Sequence, residues 1–225
     1  GVNRFTDTGT DVTTLNFGQT GFTYTPPTGA KAITTANLAT PTIADGSKYF
    51  HNQLYTGTGS SGLAITNDAN FGDFQPDFLW LAPRSNGDNH VMWDVARGTT
   101  SRIRSNSADP ADVDGTALLT FEADGFDLDT TDPNYNGSSR TYVAWQWKTQ
   151  GGAGSSNTDG SINTTTTSVS QAAGFSINTY TGTGSNATVG HGLGAVPKMI
   201  LIKDTTNTES WIVYHEAVGN DGNLY

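Results

Sequence analysis

Five tryptophans, four histidines and two runs of aspartate are the side chains best equipped for chemistry in this 225-residue chain. Each indole can bury roughly 150–250 Å², worth on the order of 4–6 kcal/mol gross at about 25 cal/mol per Å², so most belong in a core. A flat ring left on the surface beside Asn, Asp or His is instead a platform on which a sugar ring can stack. Period-two alternation along a strand separates the two uses. In Tyr142-Val143-Ala144-Trp145-Gln146-Trp147 it places Val143, Trp145 and Trp147 on one face, and in Phe78-Leu79-Trp80-Leu81 it opposes Phe78 and Trp80 to Leu79 and Leu81. Trp80 and Trp147 are freest to face outward and are the candidate ligand-binding residues.

The other groups point away from catalysis and from metals. There is no cysteine, which excludes disulfides, thiol nucleophiles, iron–sulfur clusters and cysteine-type zinc sites. His51, His90, His191 and His215 are scattered, with no His-x-x-x-His or His-Glu-x-x-His spacing. His191, between Gly190 and Gly192, reads as a local device that commits a glycine turn to the next strand. Asp109, Asp112 and Asp114, and then Asp124, Asp127, Asp129 and Asp132, offer oxygen ligands for Ca²⁺. Neither run follows Asp-x-Asp-x-Asp-Gly with a closing Glu, and turns are rich in Asp, so both read as solvated turns. A glycosidase would need two carboxylates about 5.5 or 6.5–9.5 Å apart, a separation that no spacing along the chain specifies. Phosphate-binding Gly-x-x-x-x-Gly-Lys and nucleophile-bearing Gly-x-Ser-x-Gly are absent. No catalytic residue, metal or cofactor is expected, and the chain is read as not an enzyme.

These residues must be positioned by strands. Only 14% of residues are charged, against roughly 25% in ordinary domains, while Gly reaches 27, Thr 36 and Glu only three. Thr favours a pleated surface, and Gly, Asn and Asp supply turns. The net charge of −10 disfavours nucleic acid and anionic lipid surfaces. No apolar run reaches the roughly 18 residues of a membrane span, so no membrane insertion is expected.

Alternation predicts a hairpin over 12–17 and 22–25 that ends at Pro26-Pro27, then a connector over 28–47 whose residues 30–38 can make a helical turn. Strands are predicted over 49–56, 63–66, 77–81, 90–95, 101–105, 117–121, 125–128 and 140–148, a density that indicates an antiparallel sandwich, jelly-roll or concanavalin-like. The Gly/Ser/Thr-rich stretch 151–173 has no apolar period and reads as a linker. Strand signals resume at 174–180, 197–203 and 211–215. The expected organisation is therefore 1–43, 44–150, 151–173 and 174–225.

The units on either side of that stretch carry matching residues at a fixed offset. At 121, Pro76 falls on Pro197, Leu79 on Ile200, Leu81 on Ile202, Val91 on Ile212, Trp93 on Tyr214 and Gly98 on Gly219. At 125, Tyr55-Thr56-Gly57-Thr58-Gly59 falls on Tyr180-Thr181-Gly182-Thr183-Gly184. Nothing in the second copy corresponds to 117–148, so its sheet is expected to end on unpaired edges that call for cover. With the absence of an initiator Met and the closing Asn223-Leu224-Tyr225, this reads as a piece of a longer protein that assembles as a homo-oligomer.

Two resemblances follow from particular motifs. Leu15-Asn16-Phe17-Gly18-Gln19, then Phe22 and Tyr24-Thr25-Pro26-Pro27, resembles the closing strand pair of a SPRY domain, although Thr20-Gly21 departs from the usual residues before the phenylalanine. Gly174-Phe175-Ser176-Ile177, Tyr180-Thr181-Gly182, Val189-Gly190-His191-Gly192-Leu193-Gly194, Pro197-Lys198-Met199-Ile200, Lys203-Asp204 and Trp211-Ile212-Val213-Tyr214-His215 are similar to a repeat in virion proteins of tailed bacteriophages. The first copy keeps Gly125-Phe126-Asp127-Leu128 and Tyr142-Val143-Ala144-Trp145 but has Asn70-Phe71-Gly72-Asp73-Phe74 in place of the His-Gly-Leu-Gly turn. The resemblance implies a tail fibre or similar structural component of the extracellular particle. It also implies other virion proteins as partners, a role in host attachment and a possible host-surface glycan as ligand, and it brings no activity. A carbohydrate-binding module acting through an exposed Trp is the alternative.

Overall fold

In the computed structural model the described residues are 25, 27–29, 38, 40–70, 72–113 and 119–219. The chain divides into compact units over 1–44 and 45–225. The described residues of the first unit are all exposed. The hairpin predicted over 12–25 and the helical turn over 30–38 fall on positions that, apart from Thr25 and Leu38, lie outside the described residues.

The second unit is all-β and antiparallel. A 3₁₀ turn, Gly46–Lys48, leads into β1 (Phe50–Thr56), β2 (Leu63–Thr66), β3 (Phe78–Pro83), β4 (Val91–Asp94), β5 (Gly98–Arg104), β6 (Asp112–Val113), β7 (Leu119–Glu122) and β8 (Gly125–Leu128). A single helical turn, α1 (Pro133–Asn136), precedes β9 (Thr141–Trp147). Asp132 caps α1 by accepting from the Asn134 N–H, and Pro133 starts it without wasting a donor. Six strands form one sheet in the order β1-β9-β3-β4-β5-β6, and β2-β8-β7 form another. The two sheets pack through one core in which Leu79, Trp93, Phe126, Leu128, Tyr135 and Ala144 are fully buried. Each large apolar side chain there contributes on the order of 2–3 kcal/mol. Alternation explains the division: Tyr142, Ala144 and Gln146 of β9 face this core, and Val143, Trp145 and Trp147 face the other way. Gln146 stays inside because it exchanges hydrogen bonds with Asn67 at 2.7 and 3.1 Å.

The stretch 151–173, read as linker, contains a strand. β10 (Thr164–Ser170) pairs antiparallel with β11 (Phe175–Tyr180). Its inward side chains are hydroxyls rather than hydrocarbons: Thr164, Thr167 and Ser168 are buried, and they bond to one another, to Asn157 and Asn178, and to Thr149. The strand is also tied to the first copy. The buried Asp77 carboxylate accepts from the Thr149 and Gly151 N–H groups at 2.7 and 2.8 Å and from the Thr149 hydroxyl at 2.8 Å, and that hydroxyl meets Ser168 at 2.5 Å.

β12 (Met199–Ile202) and β13 (Ile212–His215) then form a separate antiparallel pair. Their register repeats that of β3 and β4 residue for residue. Leu79 faces Trp93 and Leu81 faces Val91; 121 positions later Ile200 faces Tyr214 and Ile202 faces Ile212. The closing bond repeats as well, Val95 N–H to Asp77 C=O at 3.0 Å and Glu216 N–H to Lys198 C=O at 2.9 Å. Both hairpins are followed by a left-handed glycine, Gly98 at φ 86° and Gly219 at φ 76°. The β12–β13 pair docks on the first copy through the Trp211 indole N–H to Arg104 C=O at 3.0 Å and by backbone bonds between Ala111 and Thr205 and between Glu209 and Ala108.

Candidate ligand-binding face

The outward face of the six-stranded sheet is built by rungs of paired residues. One rung runs Asn52, Trp145, Trp80, Met92 and Ile103, and the next runs Phe50, Trp147, Phe78 and Asp94. Both candidate tryptophans therefore lie on this face, on adjacent rungs, and both are half-buried.

Their environments differ. Trp147 sits in an aromatic cluster, with ring centroids 4.9 Å from Phe50 and 5.4 Å from Phe78. Phe175 of β11 stacks against it at 5.9 Å with planes 22° apart, and also meets Phe78 edge-on at 5.7 Å. One face of the Trp147 ring is thus already occupied, which leaves little platform for a ligand. Among the described aromatic rings Trp80 meets Trp145, edge-to-face at 5.7 Å. Its indole N–H is buried with no hydrogen-bond acceptor.

A second such donor belongs to Arg97, on residues that strand alternation alone does not single out. Arg97 follows β4 and folds back along it. Its Nε and Nη2 grip the Asp94 carboxylate at 2.7 and 2.6 Å, its N–H donates to the same carboxylate at 2.8 Å, and Nη2 reaches the Met92 carbonyl at 3.3 Å. Met92 is the cross-strand partner of Trp80. The side chains of Arg97 and Asp94 are only 10% and 5% exposed, and Arg97 Nη1 is buried without an acceptor. Two buried N–H donors, Trp80 Nε1 and Arg97 Nη1, thus find no acceptor among the described residues, each at a cost of roughly 1–3 kcal/mol.

The remaining candidates serve local structure. His51 is buried with Nε2 3.1 Å from Gln53 Oε1, beside an open depression of about 590 Å³ that Phe50, Asn52 and Asp68 also line. His191 Nδ1 accepts from the Leu193 N–H at 3.1 Å across Gly192, which is left-handed at φ 71°. His215 Nδ1 does the same for Ala217 at 3.2 Å. Asp112 pairs with Arg104 and lies 3.5 Å from Arg102, and Asp109 lies 3.5 Å from Arg104, so these two carboxylates answer the arginines of β5. Asp114 lies outside the described residues. Among the described residues no three His, Asp or Glu gather as metal ligands, and no helix is long and apolar enough to cross a membrane.

The Tyr-Thr-Gly-Thr-Gly motif has a structural task in the first copy. Gly57 and Gly59 donate to the Arg140 and Asn136 carbonyls at 2.8 and 2.9 Å, and the Tyr55 hydroxyl donates to the Tyr135 carbonyl at 2.7 Å. Buried Asn136 holds the other side of the loop by accepting from the Thr58 N–H at 2.9 Å and donating to the Ser60 and Thr130 carbonyls. A Cβ on Gly57 would stand 2.4 Å from the Gly137 oxygen, so only glycine fits.

Residues 45–225 match a family model described as "Domain of unknown function (DUF7483)". No curated protein and no solved structure shows a significant match.

Proposed function

We propose that this chain, which belongs to the DUF7483 family, is a non-enzymatic structural component of a bacteriophage virion appendage, a tail fibre or similar, with a part in host-surface attachment. The observation that carries this reading is the serial repetition. Two copies of one hairpin share register and closing bonds, backbone hydrogen bonds join the second to the first copy, and the buried Asp77 knot ties β10 to the first sheet. Repetition with fixed contacts between neighbours builds length and stiffness, which an appendage needs. The virus setting comes from the motif resemblance. A cysteine-free, acidic chain suits a particle that persists outside cells without redox-sensitive staples. On this reading its partners are other virion proteins and further copies of itself, with neither nucleic acid nor membrane insertion involved. Quantitative mass spectrometry of gradient-purified particles tests it. The reading requires peptides from both copies at the abundance of a structural protein, and their absence from intact particles would refute it.

A second reading can coexist with the first and is favoured by the half-buried Trp80 on the outward sheet face: recognition of a host glycan there. Trp147 contributes less, because Phe175 covers one side of its ring. Glycan-array binding that disappears in Trp80→Ala while Trp80→Phe retains part of it supports this reading, and binding that survives Trp80→Ala removes it.

A further inference from the structure

Asparagine followed by glycine is the dipeptide in which a side-chain amide is most open to attack by the main chain, because glycine carries no Cβ to shield the nitrogen that follows. The chain holds two such pairs, Asn86-Gly87 and Asn136-Gly137, and the fold treats them oppositely. Asn136 is fully buried, its Oδ1 accepts from the Thr58 N–H at 2.9 Å, and its Nδ2 donates to the Ser60 and Thr130 carbonyls at 2.8 and 2.7 Å. The Gly137 N–H is engaged too, donating to the Tyr142 hydroxyl at 2.8 Å. Both reacting groups of that pair are tied down. Asn86 and Gly87 instead lie exposed in the loop 84–90 between β3 and β4, and a Cβ on Gly87 would meet nothing within 4 Å. Among the described residues no hydrogen bond holds the Gly87 N–H or Asn86 Nδ2. Asn86 Oδ1 accepts from the Ser85 hydroxyl at 3.0 Å, and that hydroxyl is steadied by accepting from the Thr141 N–H at 3.2 Å.

We propose that Asn86 is a site of spontaneous covalent modification, in which the Gly87 nitrogen displaces the side-chain amide and Ser85 assists. The Gly87 nitrogen gives up its proton and attacks Asn86 Cγ. The new N–C bond closes a five-membered succinimide as the Cγ–Nδ2 bond breaks, and Nδ2 takes up a proton and leaves as ammonia. Water then adds to one of the two imide carbonyls and opens the ring to an aspartyl or an isoaspartyl residue at position 86. No electrons are exchanged with another molecule, and water is the one co-reactant. The Ser85 hydroxyl donates to the oxygen on which negative charge develops as the tetrahedral intermediate forms, so it lowers the barrier to attack. At Asn136 the same reaction has to wait for local opening of α1 and the loop bonded to it. The product carries a new carboxylate two positions from Arg84 and from Asp88, which pairs with Arg140. The extra backbone carbon of an isoaspartyl residue falls outside the β3–β4 ladder, whose last pair is Leu81 with Val91. The loop thus gains negative charge with age while the hairpin keeps its register. This inference stands on the contrast between the two pairs and is independent of the virion reading.

The test incubates the full 225-residue chain at mildly alkaline pH, folded and in urea, and follows both pairs over time by tryptic digestion and tandem mass spectrometry. In the folded chain residue 86 should gain about 1 Da, through an intermediate about 17 Da lighter than the starting peptide, while Asn136 reacts at least about tenfold more slowly. In urea the two pairs should react at similar rates. Ser85→Ala should slow the reaction at residue 86 by about threefold or more in the folded chain and leave its rate in urea unchanged. Equal rates at Asn86 and Asn136 in the folded chain overturn the proposal, as does an Asn86 that stays intact when folded while it reacts in urea. A folded Ser85→Ala variant that reacts as fast as the parent overturns the part given to Ser85.

Discussion

Phe175 of β11 lies stacked on Trp147 of β9, ring centroids 5.9 Å apart, so a side chain of the second copy closes the aromatic cluster of the first. Phe175→Ala should expose one face of Trp147 and cost about 1–3 kcal/mol through lost burial and ring contacts. A red shift in tryptophan emission with a lower urea midpoint would verify this. Unchanged emission would mean that the two copies do not share the cluster.

Gly57 and Gly182 occupy equivalent positions in the repeat but have different neighbours. Gly57→Ala drives a methyl into the Gly137 carbonyl and should destabilise by about 1–3 kcal/mol, while Gly182→Ala, with open space around it, should change stability by less than about 0.5 kcal/mol. Parallel urea titrations of the two variants provide the check. Equal effects would contradict the difference in packing around the two glycines.

Asp77 anchors β10 to the first sheet through buried donors. Asp77→Ala leaves the Thr149 and Gly151 N–H groups and the Thr149 hydroxyl without their acceptor and should cost about 3 kcal/mol. Amide exchange should quicken first in Thr164–Ser170. Uniform acceleration across β3 and β9 instead would show that Asp77 holds the whole sandwich rather than this junction.

Alkaline pH should weaken the fold in a defined window. Burial pushes the Tyr135 hydroxyl up to about 12, with Arg102 opposing, and burial together with Tyr142 and Tyr135 raises Tyr55 well above the usual phenol range. The folded state thus holds these protons more tightly than the unfolded chain, whose phenols ionise near 10. The Tyr135 contribution is complete below pH 10 and is lost as pH rises from 10 through about 12, and the Tyr55 contribution, also complete below pH 10, is lost as pH rises above it. Denaturation midpoints that fall in this interval, with a shallower fall in Tyr55→Phe, are the expected result. A midpoint flat to pH 12 would be inconsistent with it.

Much of this was legible in the residues themselves. Leu63–Thr66 and Gly125–Leu128 fall where alternation places them, and the other predicted strands within the described residues overlap strands of the fold. β10 escaped that reading because its buried face is Thr and Ser whose hydroxyls are satisfied by one another and by neighbouring side chains, so burial left no apolar period. The two-residue β6 is too short to carry any period. Alternation sets Trp80 and Trp147 opposite the buried Leu79 and Ala144, but the cover over Trp147 comes from Phe175, 28 positions further on in sequence, and no local pattern reports such a contact. The spacing of three between Asp94 and Arg97 likewise becomes an ion pair only through the turn after β4, which no local pattern reports.

The most direct test of the central claim is an averaged density map of the purified phage particle. The account predicts appendage density into which residues 45–149 and 174–219 fit as successive β layers, with β12–β13 superposing on β3–β4 in the 121-residue register. A particle whose appendages lack this chain, or a second hairpin slipped by one residue so that Ile200 no longer faces Tyr214, would contradict it.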